Sequence, residues 1–275
     1  MKSPDKFLKA VSIVLLFGLA ACSQSEKEND FGIDEIVPPD ALYNQALANL
    51  DAGDLNTAQD RIDELNRQHP YSEYSRRSII LDTFINYRAG KYTEAATSGK
   101  RFLQLYPSDK DAAYAQYIIG MSYYRQMPHI TRDQAPTEQA YNAMRELIDK
   151  YPESEYVEDA KRKVRITRDQ LAGKQMVVGR YYQERREFLA GIKRFRRGVQ
   201  NYPETRHVEE ALARLTESYY SLGLADEAQN AAAVLGHNFP DSQWYADSYT
   251  LLQTGGLSPQ RSNSSWLTSL FGNRT

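Results

Sequence analysis

One pattern occurs five times in this chain: an aromatic or histidine ring, then a proline, then a short polar run. Successive prolines are separated by 37, 45, 51 and 37 residues, and the residue twelve positions before each proline is small. The prolines are Pro70, Pro107, Pro152, Pro203 and Pro240, and the small residues are Ala58, Ala95, Ala140, Gly191 and Ala228. A proline ends one helix and lies near the start of the next, because it lacks an N–H and fixes φ. A small side chain lets two antiparallel helices approach closely, so the pattern predicts helical hairpins in tandem.

The spacing resembles the tetratricopeptide repeat, a helix-turn-helix unit of about 34 residues with small residues ahead of a closing proline. We therefore predict an all-α fold, a tetratricopeptide-repeat solenoid of about five helical hairpins spanning residues 40–254. The units are expected near residues 40–70, 75–107, 113–152, 172–203 and 208–240, followed by a final helix. The two longest proline spacings predict a loop at 127–137 inside the third unit and a lengthened helix, starting near Tyr156, before the fourth.

The N-terminus has the features of an exported lipoprotein. Three lysines precede the apolar run 11–20, which is too short to span a bilayer and is typical of a secretory signal. The sequence Leu19-Ala20-Ala21-Cys22 resembles the bacterial lipobox, which implies acylation of Cys22, the only cysteine of the chain. We expect a signal peptide at 1–21 and an acylated, flexible tether at 22–39. Because Ser23 rather than Asp follows the cysteine, resemblance to the lipoprotein sorting rule implies the periplasmic face of the outer membrane.

Charge and the distribution of reactive side chains argue against several functions. Residues 1–21 hold three of the 34 basic and one of the 36 acidic residues, so the mature chain would carry a net charge of about −4, which disfavours nucleic acid as a partner. The four histidines are scattered without a zinc-binding spacing. Neither a Gly-x-Ser-x-Gly elbow nor a phosphate-binding glycine loop is present. We therefore expect no catalytic residue, no metal and no cofactor.

The chain contains 20 tyrosines, and many of them fall on the predicted first helices of the hairpins. First helices line the concave face of a tetratricopeptide array, so the usual groove positions of the first three units predict an aromatic groove. The rings expected to line this groove and to bind unfolded, aromatic-rich peptide segments are Tyr43, Phe84, Tyr87, Tyr114, Tyr117 and Tyr124. Rings offer a large contact area at low entropic cost, which suits such segments. The alternative interpretation is that these rings only pack between repeats.

A second candidate surface is basic. Lys193, Arg194, Arg196 and Arg197 surround Phe195 in the fourth unit. Phe195 is expected to be buried, so a rigid support would hold these cations ready to pair with carboxylates of a partner. The basic side chains at 161–168 have a simpler interpretation as a solvated helix face.

From Gly255 onward the composition changes to Gly, Ser and Pro, so we expect residues 255–275 to form a flexible tail. Four apolar residues of this tail recur at helical spacing: Trp266, Leu267, Leu270 and Phe271. Their spacing leaves open a second interpretation, in which they form a short anchor for a partner groove or for the membrane interface.

The lipobox, the number of hairpins, the placement of both insertions and the stretch Tyr181-Tyr182-Gln183-Glu184-Arg185 together resemble the BamD family of outer-membrane lipoproteins, over roughly residues 35–253. The segment His69-Pro70-Tyr71-Ser72-Glu73-Tyr74-Ser75 is also similar to that family. The resemblance implies a non-enzymatic role in which the N-terminal repeats receive unfolded precursors of outer-membrane barrels. It also implies that the C-terminal repeats dock the periplasmic repeat domains of the barrel-forming assembly subunit. An arginine of that docking contact maps onto Arg194, and other accessory lipoproteins are implied as further partners.

Two other functions use the same fold and remain open at this point. One is a pilotin lipoprotein that brings a secretin to the outer membrane, and the other is a periplasmic scaffold for cell-wall synthesis and division. The lengthened helix argues against the first, and the lipobox argues against the second.

Overall fold

The computed structural model describes residues 36–262 and 265–271. These residues form twelve helices and no strand. In chain order the helices are α1 (Pro39–Asp51), α2 (Leu55–Gln68), α3 (Tyr74–Arg88), α4 (Tyr92–Leu105), α5 (Ala112–Arg125), α6 (Ala135–Lys150), α7 (Val157–Glu184), α8 (Phe188–Asn201), α9 (Val208–Ser221), α10 (Ala225–Asn238), α11 (Gln243–Thr254) and α12 (Trp266–Phe271). The predicted signal peptide at 1–21, the acylated Cys22 and most of the tether lie outside the described residues.

Consecutive helices pair into five hairpins, and this confirms the predicted all-α tetratricopeptide fold. The pairs are α1–α2, α3–α4, α5–α6, α7–α8 and α9–α10. The small residue twelve positions before each proline is buried in every hairpin. At Gly191 the reason is direct, because a Cβ there would lie 3.3 Å from the carbonyl oxygen of Gly179 on the facing helix.

First helices of neighbouring hairpins also contact one another. Helix α1 contacts α3, α3 contacts α5, and α5 contacts α7. Each second helix also contacts the first helix of the next hairpin. This arrangement is typical of stacked helical repeats, in which each unit buries its apolar surface against its neighbours. Side chains on α1, α3, α5 and the start of α7 are therefore placed along one side of the array.

The first insertion is a loop at 126–134 that lies against α7. Gln170 Nε2 donates to the carbonyl oxygen of Pro128 at 2.7 Å, and Lys174 Nζ donates to that of Thr131 at 2.8 Å. Inside the loop, the buried Gln134 Nε2 donates to the carbonyl oxygens of His129 and Arg132, each at 3.1 Å. The hydrogen bonds from Gln170 and Lys174 join the loop to α7. The insertion therefore fixes the third hairpin to the helix that follows.

The second insertion is part of α7, which runs through 28 residues without a break. It ends the third unit and also serves as the first helix of the fourth. Gly173 does not interrupt it, because this glycine is buried where Ile130 and His207 approach the helix. A Cβ at Gly173 would lie 2.4 Å from Ile130 Cδ1, so the glycine permits close packing at this junction.

The C-terminal tail does not match the prediction of a flexible segment. Its described residues pack on the last hairpins, and both Leu267 and Phe271 are 1% exposed within the same apolar cluster as Leu212 and Leu235. The helical spacing of its apolar residues was correctly identified in the sequence. The surface that this spacing matches belongs to the chain itself, because α9 and α10 present apolar side chains that α12 covers.

His207 lies at the junction of α7 and α9, and we expect it to make stability depend on pH. Its Nε2 atom is buried without a hydrogen-bond partner among the described residues and lies 3.7 Å from Asp169 Oδ2. Burial lowers the pKa of His207, the nearby carboxylates of Asp169 and Glu210 offset part of that effect, and Arg206 and Arg180 add to it. The unfolded chain therefore binds more protons below a pH of about 6.5, and the free energy of unfolding falls as the pH drops through that value.

The measurement is urea denaturation of the wild type and of His207→Gln at pH 7.5 and pH 5.5. The wild type should lose more stability on acidification than the variant, with a slope for this single group of at most about 1.4 kcal/mol per pH unit. His237→Gln, at an exposed histidine of α10, is the matched control and should behave as the wild type. Equal pH dependence in the wild type and His207→Gln would contradict this assignment.

Candidate functional site

All six rings predicted to form the groove are half-buried and lie on first helices. Tyr43 lies on α1, Phe84 and Tyr87 lie on α3, and the other three lie on α5. Side chains in this state present one edge to solvent while the rest of the ring packs against the protein. Each ring therefore contributes to packing and also leaves part of itself on the surface.

Four rings form one continuous group, which we name the aromatic row: Phe84, Tyr114, Tyr156 and Tyr117. The ring centroids of Phe84 and Tyr114 are 6.5 Å apart, and those of Tyr114 and Tyr156 are 5.7 Å apart. Tyr117 stacks on Tyr156 at 4.7 Å with an interplanar angle of 20°. The row therefore crosses from α3 over α5 to the start of α7.

Tyr156 is the member that sequence reasoning missed. It stands at the N-terminal boundary of α7, whereas the predicted groove positions cover only the first helices of the first three units. A usable signal was present, because Tyr156 follows the third proline of the repeat pattern and occupies the start of the next first helix. The same register places Tyr74 at the start of α3.

The remaining predicted rings pair locally and stay outside the aromatic row. Tyr43 contacts Tyr74, with 5.5 Å between ring centroids, and Tyr87 contacts Tyr92 at 5.7 Å. Tyr124 lies under Lys163, whose Nζ is 4.8 Å from the ring centroid. These three rings extend the aromatic surface along α1, α3 and α5 without forming a single stack.

Burial raises the pKa of the tyrosine hydroxyls in the aromatic row. Burial raises the pKa of Tyr114 to about 12. Burial also raises the pKa of Tyr117, and so does the hydrogen bond in which its Oη donates to Asp159 Oδ2 at 2.8 Å. Arg88 borders the row, with its Cζ 5.6 Å from the centroid of Phe84. The surface thus combines apolar ring faces, hydroxyls that donate hydrogen bonds and an adjacent cation.

The second surface is the group Lys193, Arg194, Arg196 and Arg197 on α8, which we name the basic cluster. Phe195 stands in the middle of this sequence and is 0% exposed, as expected. Its ring packs over Gly179 of α7, where an added Cβ would lie 2.3 Å from Phe195 Cε1. The cluster is therefore carried on a helix that is anchored tightly to α7.

No member of the basic cluster forms an ion pair with another described residue. By contrast, the basic side chains at the start of α7 are largely paired, for example Lys161 with Glu158 at 2.7 Å and Arg162 with Asp159 at 2.8 Å. Arg194 is half-buried, and Arg196 places its Cζ 4.5 Å from the centroid of the Trp266 ring. The basic cluster is thus a concentrated positive surface whose charges this part of the chain leaves uncompensated.

The described residues present neither a metal-binding cluster nor a helix suited to span a membrane. That part of the chain contains no group of three or more His, Cys, Asp or Glu side chains arranged to hold a metal ion. None of its helices combines the length and the apolar character needed to cross a bilayer. The two surfaces above are the features of these residues that suggest binding.

Comparison with known proteins gives a consistent result. The sequence profile of a family described as YfiO, outer membrane lipoprotein, matches residues 36–235. A relative from Caulobacter vibrioides, named outer membrane protein assembly factor BamD, is 41% identical over 248 residues, which cover 90% of this chain and 81% of the relative. The protein of the same name from Rickettsia prowazekii is 34% identical over 250 residues, covering 90% of this chain and 98% of its own.

Among solved structures, a tetratricopeptide repeat protein from Parabacteroides merdae aligns with 79% of this chain and 75% of its own, at 17% identity and a TM-score of 0.35. The five hairpins themselves define the fold. The family profile spans α1 to α10 almost completely, and the alignment with the Caulobacter relative covers 90% of the chain. The chain therefore belongs to the YfiO family of outer membrane lipoproteins, the family of the BamD assembly factors.

Proposed function

We propose that this chain is a non-enzymatic assembly factor for outer-membrane proteins. In this proposal the first hairpins hold unfolded barrel precursors, and the fourth hairpin docks the periplasmic repeat domains of the barrel-forming assembly subunit. The names of the relatives support the general role, since they are outer membrane protein assembly factors. The observation that carries the proposal is the separation of an aromatic row from a basic cluster on different hairpins of one array.

The aromatic row suits an extended precursor segment. Its rings offer apolar faces to side chains of any shape, and tyrosine hydroxyl oxygens accept hydrogen bonds from the N–H groups of a backbone that lacks secondary structure. Recognition of this kind depends little on the sequence of the client. An assembly factor needs this tolerance because its clients differ in sequence. Arg88 and Arg77, which lie beside Phe84 and Tyr74, add favourable contacts with acidic side chains of a client.

The basic cluster suits a folded, acidic partner. Guanidinium groups bind carboxylates through two parallel hydrogen bonds, and such pairs gain strength when the arginine is partly desolvated. Arg194 meets this condition, because it is half-buried on a helix whose position is fixed by Phe195. We infer that Arg194 makes the central contact and that Lys193, Arg196 and Arg197 steer the approach of the partner.

Attachment to the membrane is proposed to occur through acylated Cys22, on the periplasmic face of the outer membrane. Several acyl chains together make a stable anchor. The segment between Cys22 and α1 would then act as the tether, and other accessory lipoproteins would share the same membrane surface as further partners.

The precursor site is tested by replacing rings of the aromatic row. Phe84→Ala combined with Tyr114→Ala should weaken binding of a peptide from a barrel strand by about 2 kcal/mol, or roughly 30-fold, because aromatic anchors carry most of such binding energy. The measurement is fluorescence anisotropy of a labelled peptide titrated with the full-length protein. Circular dichroism must show that the helices remain intact.

Tyr123→Ala is the matched control, because Tyr123 is also half-buried on α5 but faces Lys100 of α4 instead of the row. Its peptide affinity should equal that of the wild type. Wild-type affinity in the folded double variant would show that the rings of the row serve packing alone. Equal losses in the double variant and in Tyr123→Ala would show that the peptide effect is not specific to this surface.

A further inference from the structure

Hydrogen bonds hold the C-terminal residues against α10. We name the described tail residues, 257–262 and 265–271, the tail segment. Gln229 Nε2 donates to the carbonyl oxygen of Ser258 at 2.7 Å. Asn230, which is 1% exposed, donates from Nδ2 to Ser265 Oγ at 2.7 Å and accepts from the backbone N–H of Ser262 at 2.8 Å. A buried amide whose donor and acceptor are both used by the tail segment fixes its position on the helix.

Helix α12 then reaches across to α8. Its residues Leu267 and Phe271 are buried in the apolar cluster of the last hairpins, and Trp266 lies under the guanidinium of Arg196. Arg196 belongs to the basic cluster that is proposed to dock the assembly subunit. The tail segment thus occupies one of the four cations of that surface and covers the protein surface next to it.

We propose that the tail segment is an intramolecular competitor that limits docking at the basic cluster and is displaced when the acidic partner binds. This inference rests on the proposed function and concerns the regulation of the same surface. No described residue of the tail segment is acidic, so the tail does not neutralise the positive charges of the basic cluster. An acidic partner is therefore the chemistry that complements this surface. The tail offers Arg196 a ring face, whereas a carboxylate of a partner offers an ion pair with two hydrogen bonds.

The tail segment is suited to displacement because it holds its conformation only while it is packed on the last hairpins. A helix of six residues is not stable on its own, so the order of α12 depends on the surface beneath it. The gain from burying two large side chains is offset by the cost of ordering the backbone that connects them. Gly255 and Gly256 precede the segment, and Gly256 has a φ of +69° with no atom within 4 Å of a Cβ position, so the chain can change direction there.

The test compares the full-length wild type with a variant whose tail segment is released, Leu267→Asp combined with Phe271→Asp. Binding of the purified periplasmic domains of the assembly subunit is measured by isothermal titration calorimetry. Release should lower the Kd about tenfold, within the usual range of coupling between two competing states. Trp266→Ala, which removes only the ring beneath Arg196, should lower the Kd by a smaller factor and guards against a folding defect in the double variant.

Ser269→Asp is the matched control, because Ser269 is exposed on the same short helix and its Kd should remain that of the wild type. An unchanged or higher Kd for both release variants, with intact helices by circular dichroism, would overturn the inference. Arg194→Glu in the same assay separates this failure from that of the proposed function. If Arg194→Glu weakens binding while tail release changes nothing, the docking surface stands and only the competition is wrong. If neither the wild type nor any variant binds the periplasmic domains, the docking function and the competition are both wrong.

Discussion

Replacing Arg194 with glutamate is expected to weaken the complex with the barrel-forming subunit by about 2 to 5 kcal/mol, the usual loss when one partner of a buried, hydrogen-bonded charge pair is removed. Three observations lead to this expectation. Arg194 is half-buried, it forms no ion pair within the described residues, and α8 holds it rigidly because the neighbouring Phe195 is fully buried. Reversal of its charge would place a carboxylate in a positive surface that is complementary to an acidic partner.

The measurement is the Kd of the full-length protein for the periplasmic domains of that subunit, determined at low and at physiological salt. Arg165→Glu is the matched control, since Arg165 is an exposed basic residue of α7 outside the basic cluster. Its effect should be small and should shrink further at higher salt, because exposed charges are screened. A Kd of Arg194→Glu equal to that of the wild type, in a protein with intact helices, would exclude Arg194 from the contact.

Truncation of Phe195 to alanine is expected to lower the free energy of unfolding by about 3 to 5 kcal/mol, the usual cost of deleting a fully buried phenylalanine ring. The ring fills the space between α7 and α8 and meets Gly179 at a point where even one methyl group would collide with it. Gly179→Ala should therefore also destabilise the protein, by about 1 to 3 kcal/mol, through overpacking. Urea denaturation followed by circular dichroism measures both effects.

The two positions should also be coupled, and a double-mutant cycle tests this. Phe195→Leu shortens the side chain that faces Gly179, so Gly179→Ala should cost less in the Phe195→Leu background than in the wild type. Contacting residues typically show coupling of about 0.5 to 3 kcal/mol. Costs that simply add would show that the Phe195 ring is not what requires a glycine at position 179.

The hairpins were predictable from sequence because close helix approach and helix termination each require particular residues. Only a small side chain permits the contact of Gly191 with the backbone at Gly179, and the residue before each repeated proline ends a second helix. Both insertions were also predictable, since they lengthen the distance between prolines. What could not be predicted was the continuity of α7 through Gly173, because the contacts of Ile130 and His207 that make use of that glycine come from distant parts of the chain.

The candidate surfaces were only partly predictable, for a related reason. Positions on both helices of a hairpin follow from the repeat register, so the six rings were predicted on first helices and the basic cluster on the second helix of the fourth hairpin, where the structure has them. Which rings touch depends on how α5 meets the start of α7, and this geometry brings Tyr156 into the row while Tyr43 pairs with Tyr74. The tail was mispredicted because apolar spacing indicates a helix without indicating its partner, and the partner proved to be the buried surface around Asn230.

Site-specific photo-crosslinking in living cells shows whether the two surfaces of the array bind two different chains. A photoreactive amino acid would be placed at Phe84 in one strain and at Arg194 in another during synthesis of a barrel protein. Position 84 should capture the unfolded precursor, and position 194 should capture the barrel-forming subunit. Capture of a secretin or of a cell-wall enzyme at position 194, or of the same chain at both positions, would contradict this assignment of the two surfaces.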